Sequence, residues 1–134
     1  MKRIILMGHG SRSSETKQEL ERIVDRLKSK YHYSHVDICF FSIGSPTLPE
    51  ILQKCAAENA TEVIVIPFFL LMGMHIRVDI PKLIKEESHK YPSMTITCGH
   101  HMGFDELIVD LINKRIQDIN LTRFRHLYTA SPLI

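Results

Sequence analysis

Apolar positions along the chain alternate between short continuous runs and runs with helical spacing. Residues 3–7, 36–42, 62–67 and 94–98 are short apolar or β-branched runs, of the kind that forms buried parallel strands. Between them apolar residues recur three and four positions apart, as in Leu20, Ile23, Val24 and Leu27, which predicts amphipathic helices. The alternation of strand and helix predicts an α/β fold, with helices on both faces of a parallel sheet.

Helix starts are indicated by local sequence. The sequence TLPE at residues 47–50 has the form of a capping box, in which Thr47 is the N-cap and Glu50 reaches back to it. We expect the helix after the third strand to begin at the DIP sequence of residues 79–81 and to run to about Lys90. Leu107, with apolar residues one, four and five positions later, marks a last helix.

Four strands in this order favour a flavodoxin-like, doubly wound parallel four-stranded sheet in a single domain, with strand order 2-1-3-4. Ligands of such sheets bind beyond the carboxyl ends of the strands, where the order reverses between strands 1 and 3. The two loops that meet there are residues 8–13 and residues 68–78. One contains His9 in the sequence GHG, and the other contains His75 in the sequence GMH. The predicted topology therefore brings these two distant histidines to one crevice.

Two neutral imidazoles facing an open crevice can bind a first-row divalent metal ion. A structural metal site needs about four protein ligands, and only His9 and His75 are expected to converge. Incomplete ligation suits a site that holds a metal briefly and then releases it. An imidazole can also accept a proton near neutral pH. The alternative for His9 is a capping role in its loop, and for His75 an ordinary loop position.

Further residues near the two histidines are ambiguous. Arg12 and Arg77 could pair with ligand carboxylates, or they could be solvated loop charges. The apolar sequence FFLLMGM at residues 68–74 would be partly exposed unless a flat apolar ligand or a partner covers it, and the alternative is core or dimer interface. His100 and His101 follow the fourth strand and could line the same crevice or belong to a plain surface loop.

Length and composition place few limits on partners. The chain has 134 residues, which fits one α/β domain over residues 1–120 and a C-terminal tail or docking segment over residues 121–134. Cys39, Cys55 and Cys98 show no C-x-x-C spacing, so we expect reduced, mostly buried thiols in a cytoplasmic protein. A net charge of +2 is no strong sign of nucleic-acid binding, and no apolar run has transmembrane length. We expect neither nucleic acid nor membrane as a partner.

Several sequence segments resemble a known family. They are MGHGSR at residues 7–12, SPT at residues 45–47 and VIPFFLLMGMHIRVDIP at residues 65–81, and they closely resemble the small sirohydrochlorin chelatases of the short CbiX type. The sequence GHHMGFDEL at residues 99–107 is a looser version of the family's last loop and helix. GHGSR alone is only suggestive, but its combination with the G-x-H-x-x-x-D-I-P motif of residues 73–81 is specific. The resemblance runs over about residues 2–116.

The resemblance implies a class II chelatase-like fold and a homodimer. It implies insertion of cobalt, iron or nickel as a divalent substrate metal into sirohydrochlorin, an acidic tetrapyrrole of siroheme and cobalamin biosynthesis, without ATP or an organic cofactor. His9 would then be metal ligand and proton acceptor, His75 the second metal ligand, and Ser45 and Arg12 substrate contacts. The residues implied to line the macrocycle site are Leu70, Leu71, Met72, Gly73, Met74 and His75.

One departure from the family pattern leaves a second function open. Short chelatases often carry carboxylates in a pattern like E-x-x-E-P-[ST], where this chain has Ser42 and Ser45. Serine is a poor metal ligand and a poor base, so the alternative is a protein that binds or carries metal or tetrapyrrole without catalysis. A phosphate-handling enzyme is a weaker alternative, because residues 8–14 match neither G-x-x-x-x-G-K-[ST] nor G-x-G-x-x-G.

Overall fold

Strands and helices alternate throughout the part of the chain that the structure describes. The computed structural model describes residues 1–122, with side chains described up to residue 119. The elements are β1 (Lys2–Gly10), α1 (Ser14–Tyr31), β2 (Val36–Ile43), α2 (Leu48–Ala57), β3 (Glu62–Phe68), α3 (Met74–Lys90), β4 (Thr95–Cys98) and α4 (Glu106–Thr122). The predicted α/β alternation is confirmed. Apart from its first two positions, the predicted tail over residues 121–134 lies outside the described residues.

The four strands form one sheet in the order β2-β1-β3-β4, and every pair is parallel. This is the predicted flavodoxin-like order. The two central strands, β1 and β3, run side by side from the pair Lys2↔Glu62 to the pair Gly8↔Phe68. Their carboxyl ends are therefore neighbours at one edge of the sheet, which is called the carboxyl edge below.

Alternate residues of β1 face two separate apolar cores. Ile5 and Met7 are fully buried in a core formed with residues of α2 and α3, such as Leu52 and Ile80. Leu6 faces the other side, where it packs with residues of α1. Because side chains alternate along a strand, Arg3 and His9 belong to the same column as Ile5 and Met7. The helices α2 and α3 thus cover the sheet face toward which His9 is directed.

The helix α2 begins as its sequence predicts. The Thr47 side chain accepts a hydrogen bond from the backbone N–H of Glu50, and the Glu50 carboxylate accepts one from the backbone N–H of Thr47 at 3.2 Å. This reciprocal capping satisfies N–H groups that the first helical turn leaves unpaired. The cap fixes where the β2–α2 connection ends, and that connection contains Ser45.

Contacts divide the chain into two compact units, Met1–Gly103 and Phe104–Ile134. The first unit contains the sheet with α1, α2 and α3. The second contains α4, where the Asp105 carboxylate accepts a hydrogen bond from the backbone N–H of Leu107 at 2.9 Å. The predicted boundary at residue 120 stays a prediction. Within residues 1–122, no helix combines the length and the apolar character needed to span a bilayer.

Two element boundaries differ from the prediction. The strand β1 continues through His9 to Gly10, with a register shift against β2 between Gly8 and Gly10. The helix α3 begins at Met74 rather than at residue 79, and Pro81 lies inside it. Ile80 and Ile84 of this helix are buried, whereas Pro81 points outward. Apolar packing along one helical face therefore outweighs the hydrogen bond that the proline cannot donate.

A candidate metal and macrocycle site at the carboxyl edge

His9 ends the buried column of β1 and is itself exposed. Its imidazole lies against two phenyl rings, with ring centroids 5.6 Å from Phe69 and 6.5 Å from Phe41. The contact with Phe69 is edge-on, with an angle of 65° between the ring planes. Among the described residues, His9 has no hydrogen-bond or ion-pair partner for its side chain. Its ring nitrogens are therefore available to a ligand.

Gly10 allows β1 and β2 to stay together beyond His9. Its φ angle is +130°, and a Cβ placed there would lie 2.4 Å from both the backbone N and O of Ile43. A residue with a side chain would meet both the φ restriction and this collision. The backbone N–H of Ser11 donates to the carbonyl of Ile43 at 3.1 Å, which continues the pairing. This close approach sets the position of the strand end that carries His9.

His75 lies in the first turn of α3 rather than in a loop. Gly73 is the N-cap residue of this helix, without a side-chain hydrogen bond to the first turn, and His75 is exposed. The helix α3 packs on the same sheet face as the column of His9, as shown by the burial of Ile80 in the shared core. His9 and His75 thus lie on the same face of the sheet, each at the end of an element. Their joint binding of a metal ion stays a prediction.

The loop after β4 is fastened to the loop after β3. The backbone N–H of Met102 donates to the carbonyl of Phe69 at 3.0 Å, and that of Gly103 donates to the carbonyl of Leu70 at 2.8 Å. His100 is exposed, whereas His101 is half-buried. The His101 ring lies over Gly103, since a Cβ on that glycine would be 3.0 Å from its Nε2. His101 therefore packs on its own loop, and both hydrogen bonds fix the backbone that carries Phe69.

The predicted macrocycle-lining residues form an exposed apolar surface. Leu71 is 79% exposed and Met74 is 82% exposed, while Leu70 and Phe68 are also exposed. Met72 alone among residues 70–74 packs against the core. The sequence left open that residues 68–74 belong to the core, and this holds for Met72 and for the buried Phe69. The remainder is apolar surface that a ligand or a protein partner could cover.

The remaining predicted contacts lie on connections at the same edge. Ser42 and Ser45 are both exposed, at the end of β2 and in the β2–α2 connection. Arg12 is exposed in the connection from β1 to α1, and Arg77 is exposed in α3. The helix α1 packs on the opposite sheet face from α2 and α3, so Arg12 lies where the chain turns from the carboxyl edge toward that face. A contact of Ser45 or Arg12 with substrate stays a prediction.

The described residues contain no cluster of three or more His, Cys, Asp or Glu side chains that could hold a metal ion. Cysteine adds no ligand here. Burial raises the pKa of Cys39 to about 12 and also raises the pKa values of Cys55 and Cys98. A metal ion binds the thiolate, which these raised pKa values disfavour. Any metal at the carboxyl edge would therefore have at most two protein ligands of these types from the described residues, with water and the incoming ligand completing its coordination.

The contacts of His9 with Phe41 and Phe69 are not among the sequence predictions. Phe41 follows Phe40, which pairs with Gly8 of β1, so the strand register places it beside His9. Phe69 was predicted only as part of an apolar run. An explicit alignment of β1, β2 and β3 by alternation would have placed all three rings on one face.

Comparisons with known proteins agree on one family. The family model described as CbiX matches residues 3–119. The sirohydrochlorin ferrochelatase of Bacillus subtilis is 33% identical over 88% of this chain and 45% of its own length. The sirohydrochlorin cobaltochelatase of Methanosarcina barkeri is 30% identical over 86% of this chain and 94% of its own length.

A solved structure described as SirB from Bacillus subtilis with Fe3+ matches the fold. Its TM-score is 0.77 at 31% identity, over 88% of this chain and 47% of that structure. The chain spans about half the length of several curated relatives it matches, such as 46% of the sirohydrochlorin ferrochelatase of Priestia megaterium. The similarity to the Methanosarcina barkeri enzyme, in contrast, extends over nearly the whole of both chains.

Proposed function

We propose, on the premise that this chain belongs to the CbiX family, that it inserts a divalent metal ion into sirohydrochlorin without ATP. The observation that carries the proposal is the position of His9. Its imidazole ends a buried strand and contacts Phe69 at 5.6 Å, beside the exposed apolar surface of residues 70–74. A nitrogen ligand and a flat apolar surface at one edge suit a metal ion and a tetrapyrrole. The names of the relatives support cobalt and iron as substrate metals, and nickel suits imidazole equally.

The macrocycle is proposed to lie on the carboxyl edge, not within a cavity. The cavity that adjoins His9 is lined by α1 residues such as Leu20 and Ile23, on the sheet face opposite to α2 and α3. Its volume of about 290 Å³ is at the small end for ligand pockets. Residues 70–74 offer an open apolar surface instead, and the exposed Arg12 and Arg77 supply positive charge for the carboxylates of sirohydrochlorin. Ser45 is proposed as a substrate contact from the neighbouring connection.

The proposed chemistry exchanges two protons for one metal ion. The metal ion, held by His9 and His75, forms bonds to the macrocycle nitrogens as two pyrrole N–H groups lose their protons. Neutral imidazole can accept such a proton, because its ordinary pKa lies near 6.5. The two protons pass to solvent, so the reaction consumes no redox partner and no nucleotide.

The test mixes purified protein, sirohydrochlorin and cobalt(II) and follows the absorbance of the macrocycle. We expect insertion to be faster than in a protein-free control, and we expect His9→Ala and His75→Ala each to remove most of the acceleration. Both residues are exposed, so the variants should stay folded. His89→Ala, an exposed histidine near the far end of α3, is the matched control and should leave the rate unchanged. A rate equal to the protein-free control would end the proposal.

Ser42 and Ser45 favour a second candidate, a protein that binds metal or tetrapyrrole without turnover. Neither residue is a useful base, and the described residues supply no third metal ligand beside the histidines. In that case sirohydrochlorin binds tightly while insertion is not accelerated. Ser45→Glu would then produce turnover, and Ser45→Gln, which has the same size without the charge, would not.

We also propose that the protein is a cytoplasmic homodimer that uses neither nucleic acid nor membrane. Exposed apolar residues of α4, such as Leu107, Ile112 and Ile116, give a second copy a surface to cover, and the three cysteines are free. Light scattering on the purified protein distinguishes a dimer from a monomer. Cell fractionation, with and without added nuclease, tests the location and the absence of nucleic acid.

A further inference from the structure

We propose that Phe69 is a positioning residue that fixes the orientation of the His9 imidazole. Metal-binding histidines usually donate a hydrogen bond from the second ring nitrogen, and this bond sets the angle of the ring. His9 has no such bond to any residue that the structure describes. Its ring is instead packed edge-on against Phe69, at 5.6 Å, and tilted against Phe41, at 6.5 Å. Aromatic packing thus takes the place of the usual polar partner.

Phe69 is suited to this role because it is itself held firmly. Its side chain is 5% exposed, and its ring meets that of Phe41 at 6.3 Å in a second edge-on contact. Its carbonyl accepts a hydrogen bond from Met102, and the next carbonyl accepts one from Gly103. The connection after β4 therefore holds the backbone of Phe69 in place, while its ring restricts His9.

The expected size of the effect follows from side-chain geometry. A histidine without packing partners samples about three χ1 wells and roughly two orientations at χ2, of which one combination points a given nitrogen at the metal. Loss of this restriction would reduce the binding-competent fraction toward about one sixth, and the apparent Kd rises by the inverse of that fraction. Because Phe41 remains in the variant, we expect cobalt(II) binding by His9 to weaken about three- to sixfold.

The proposal about metal affinity rests on the proposed function, whereas the orientation of the ring does not. The experiment therefore has two readouts on the full-length protein. The first is the distribution of the His9 χ1 angle without metal, measured from three-bond NMR couplings of its Hβ protons, which do not depend on the ring currents of the phenyl groups. The second is the Kd for cobalt(II) alone, measured by titration. Phe69→Leu removes the ring, and Phe69→Tyr retains it.

Ile5→Val is the matched control for a loss of packing, because Ile5 is fully buried in the same column of β1 and does not contact His9. We expect Phe69→Leu to spread the His9 χ1 angle over several rotamers and to weaken cobalt(II) binding, while Phe69→Tyr and Ile5→Val keep the wild-type rotamer and a Kd within about twofold of the wild type. An unchanged His9 χ1 distribution in Phe69→Leu would overturn the positioning role. Equal weakening of cobalt(II) binding in all three variants would also overturn it, because loss of stability would then explain the effect.

The outcomes separate this inference from the proposed function. If His9→Ala binds cobalt(II) as the wild type does, the proposed metal site fails. A broadened His9 χ1 distribution in metal-free Phe69→Leu would still establish that Phe69 orients the ring. If His9→Ala abolishes binding and Phe69→Leu changes neither readout, the metal site stands and the positioning role fails.

Discussion

Two polar side chains at opposite ends of one column on β1 differ in burial and in their partners. Arg3, near the start, is 6% exposed and forms ion pairs with Asp37, at 3.4 Å, and with Glu58. Asp37 also lies 3.9 Å from the Lys54 ammonium group. His9, at the other end of the same column, is exposed, packs against the rings of Phe41 and Phe69, and has no polar side-chain partner among the described residues. Ile5 and Met7 separate the two ends with fully buried apolar side chains.

The difference indicates which end is structural and which is available for chemistry. A buried charge is tolerated only when it is paired, and the guanidinium of Arg3 has its partners within the fold. A histidine with no polar partner keeps its nitrogens for a ligand. The predictions below change one end at a time and ask whether stability and ligand binding separate as this comparison requires.

The largest effect on stability is expected at Gly10, beside His9. Gly10→Ala places a Cβ 2.4 Å from the backbone of Ile43 at a φ of +130°. Backbone strain and the collision together should lower the free energy of unfolding by about 3–5 kcal/mol. Gly73→Ala is the control, because nothing lies within 4 Å of its Cβ position, and urea denaturation should show a loss of at most about 1 kcal/mol, which is the cost of a poorer N-cap residue. Similar losses in both variants would mean that the close approach of β1 and β2 is unimportant.

The next largest effect on stability is expected at Arg3, at the opposite end of the column. Arg3→Ala leaves Glu58 without its cation and Asp37 with Lys54 alone, and should lower the free energy of unfolding by about 2–4 kcal/mol. Arg3→Met keeps the apolar volume and should cost less. In both variants the cobalt(II) affinity of the folded protein should equal that of the wild type, because His9 is unchanged. A weaker affinity would show that the two ends are coupled and would contradict the comparison.

Urea denaturation at two pH values tests the burial of Cys39, which lies in the apolar core on the same sheet face. Burial, with a smaller contribution from Cys55, raises the pKa of Cys39 from 9.0 to about 12. The unfolded thiol ionises first as pH rises, so this contribution is complete below pH 9 and is lost toward pH 12, at about 1.4 kcal/mol per pH unit. Urea denaturation at pH 9 and pH 10.5 should therefore show a smaller loss of stability in Cys39→Ala than in the wild type. Parallel losses in both proteins would mean that Cys39 ionises equally in the folded and unfolded states.

Much of this fold could be predicted from local sequence. The strand order follows from the alternation of apolar strands with amphipathic helices, and the capping box at Thr47 is set by residues three positions apart. The placement of His9 at the carboxyl edge follows from that order. These features depend on periodicity and short-range hydrogen bonds, which the sequence displays directly.

Other features depend on contacts between distant segments. Pro81 suggested a helix start, but α3 begins at Met74, where its first turn packs Ile76 against the core, and this places His75 in a helical turn. The ring of Phe69 reaches His9 because the connection after β4 anchors its carbonyl. Neither effect has a local signature. Sequence therefore located the candidate site, while the orientation of its side chains required the tertiary structure.

The smallest effect on stability is expected on the apolar surface beside His9. Leu71 is 79% exposed, so Leu71→Ser should change the free energy of unfolding by less than about 0.5 kcal/mol. If a macrocycle covers this side chain, the lost burial should weaken sirohydrochlorin binding by about 1 kcal/mol, or roughly fivefold. Tyr31→Ser, at an exposed tyrosine that ends α1, should leave this affinity unchanged. Fluorescence titration of sirohydrochlorin measures both variants, and equal affinities would place the macrocycle elsewhere while leaving the role of His9 to be judged by cobalt(II) binding alone.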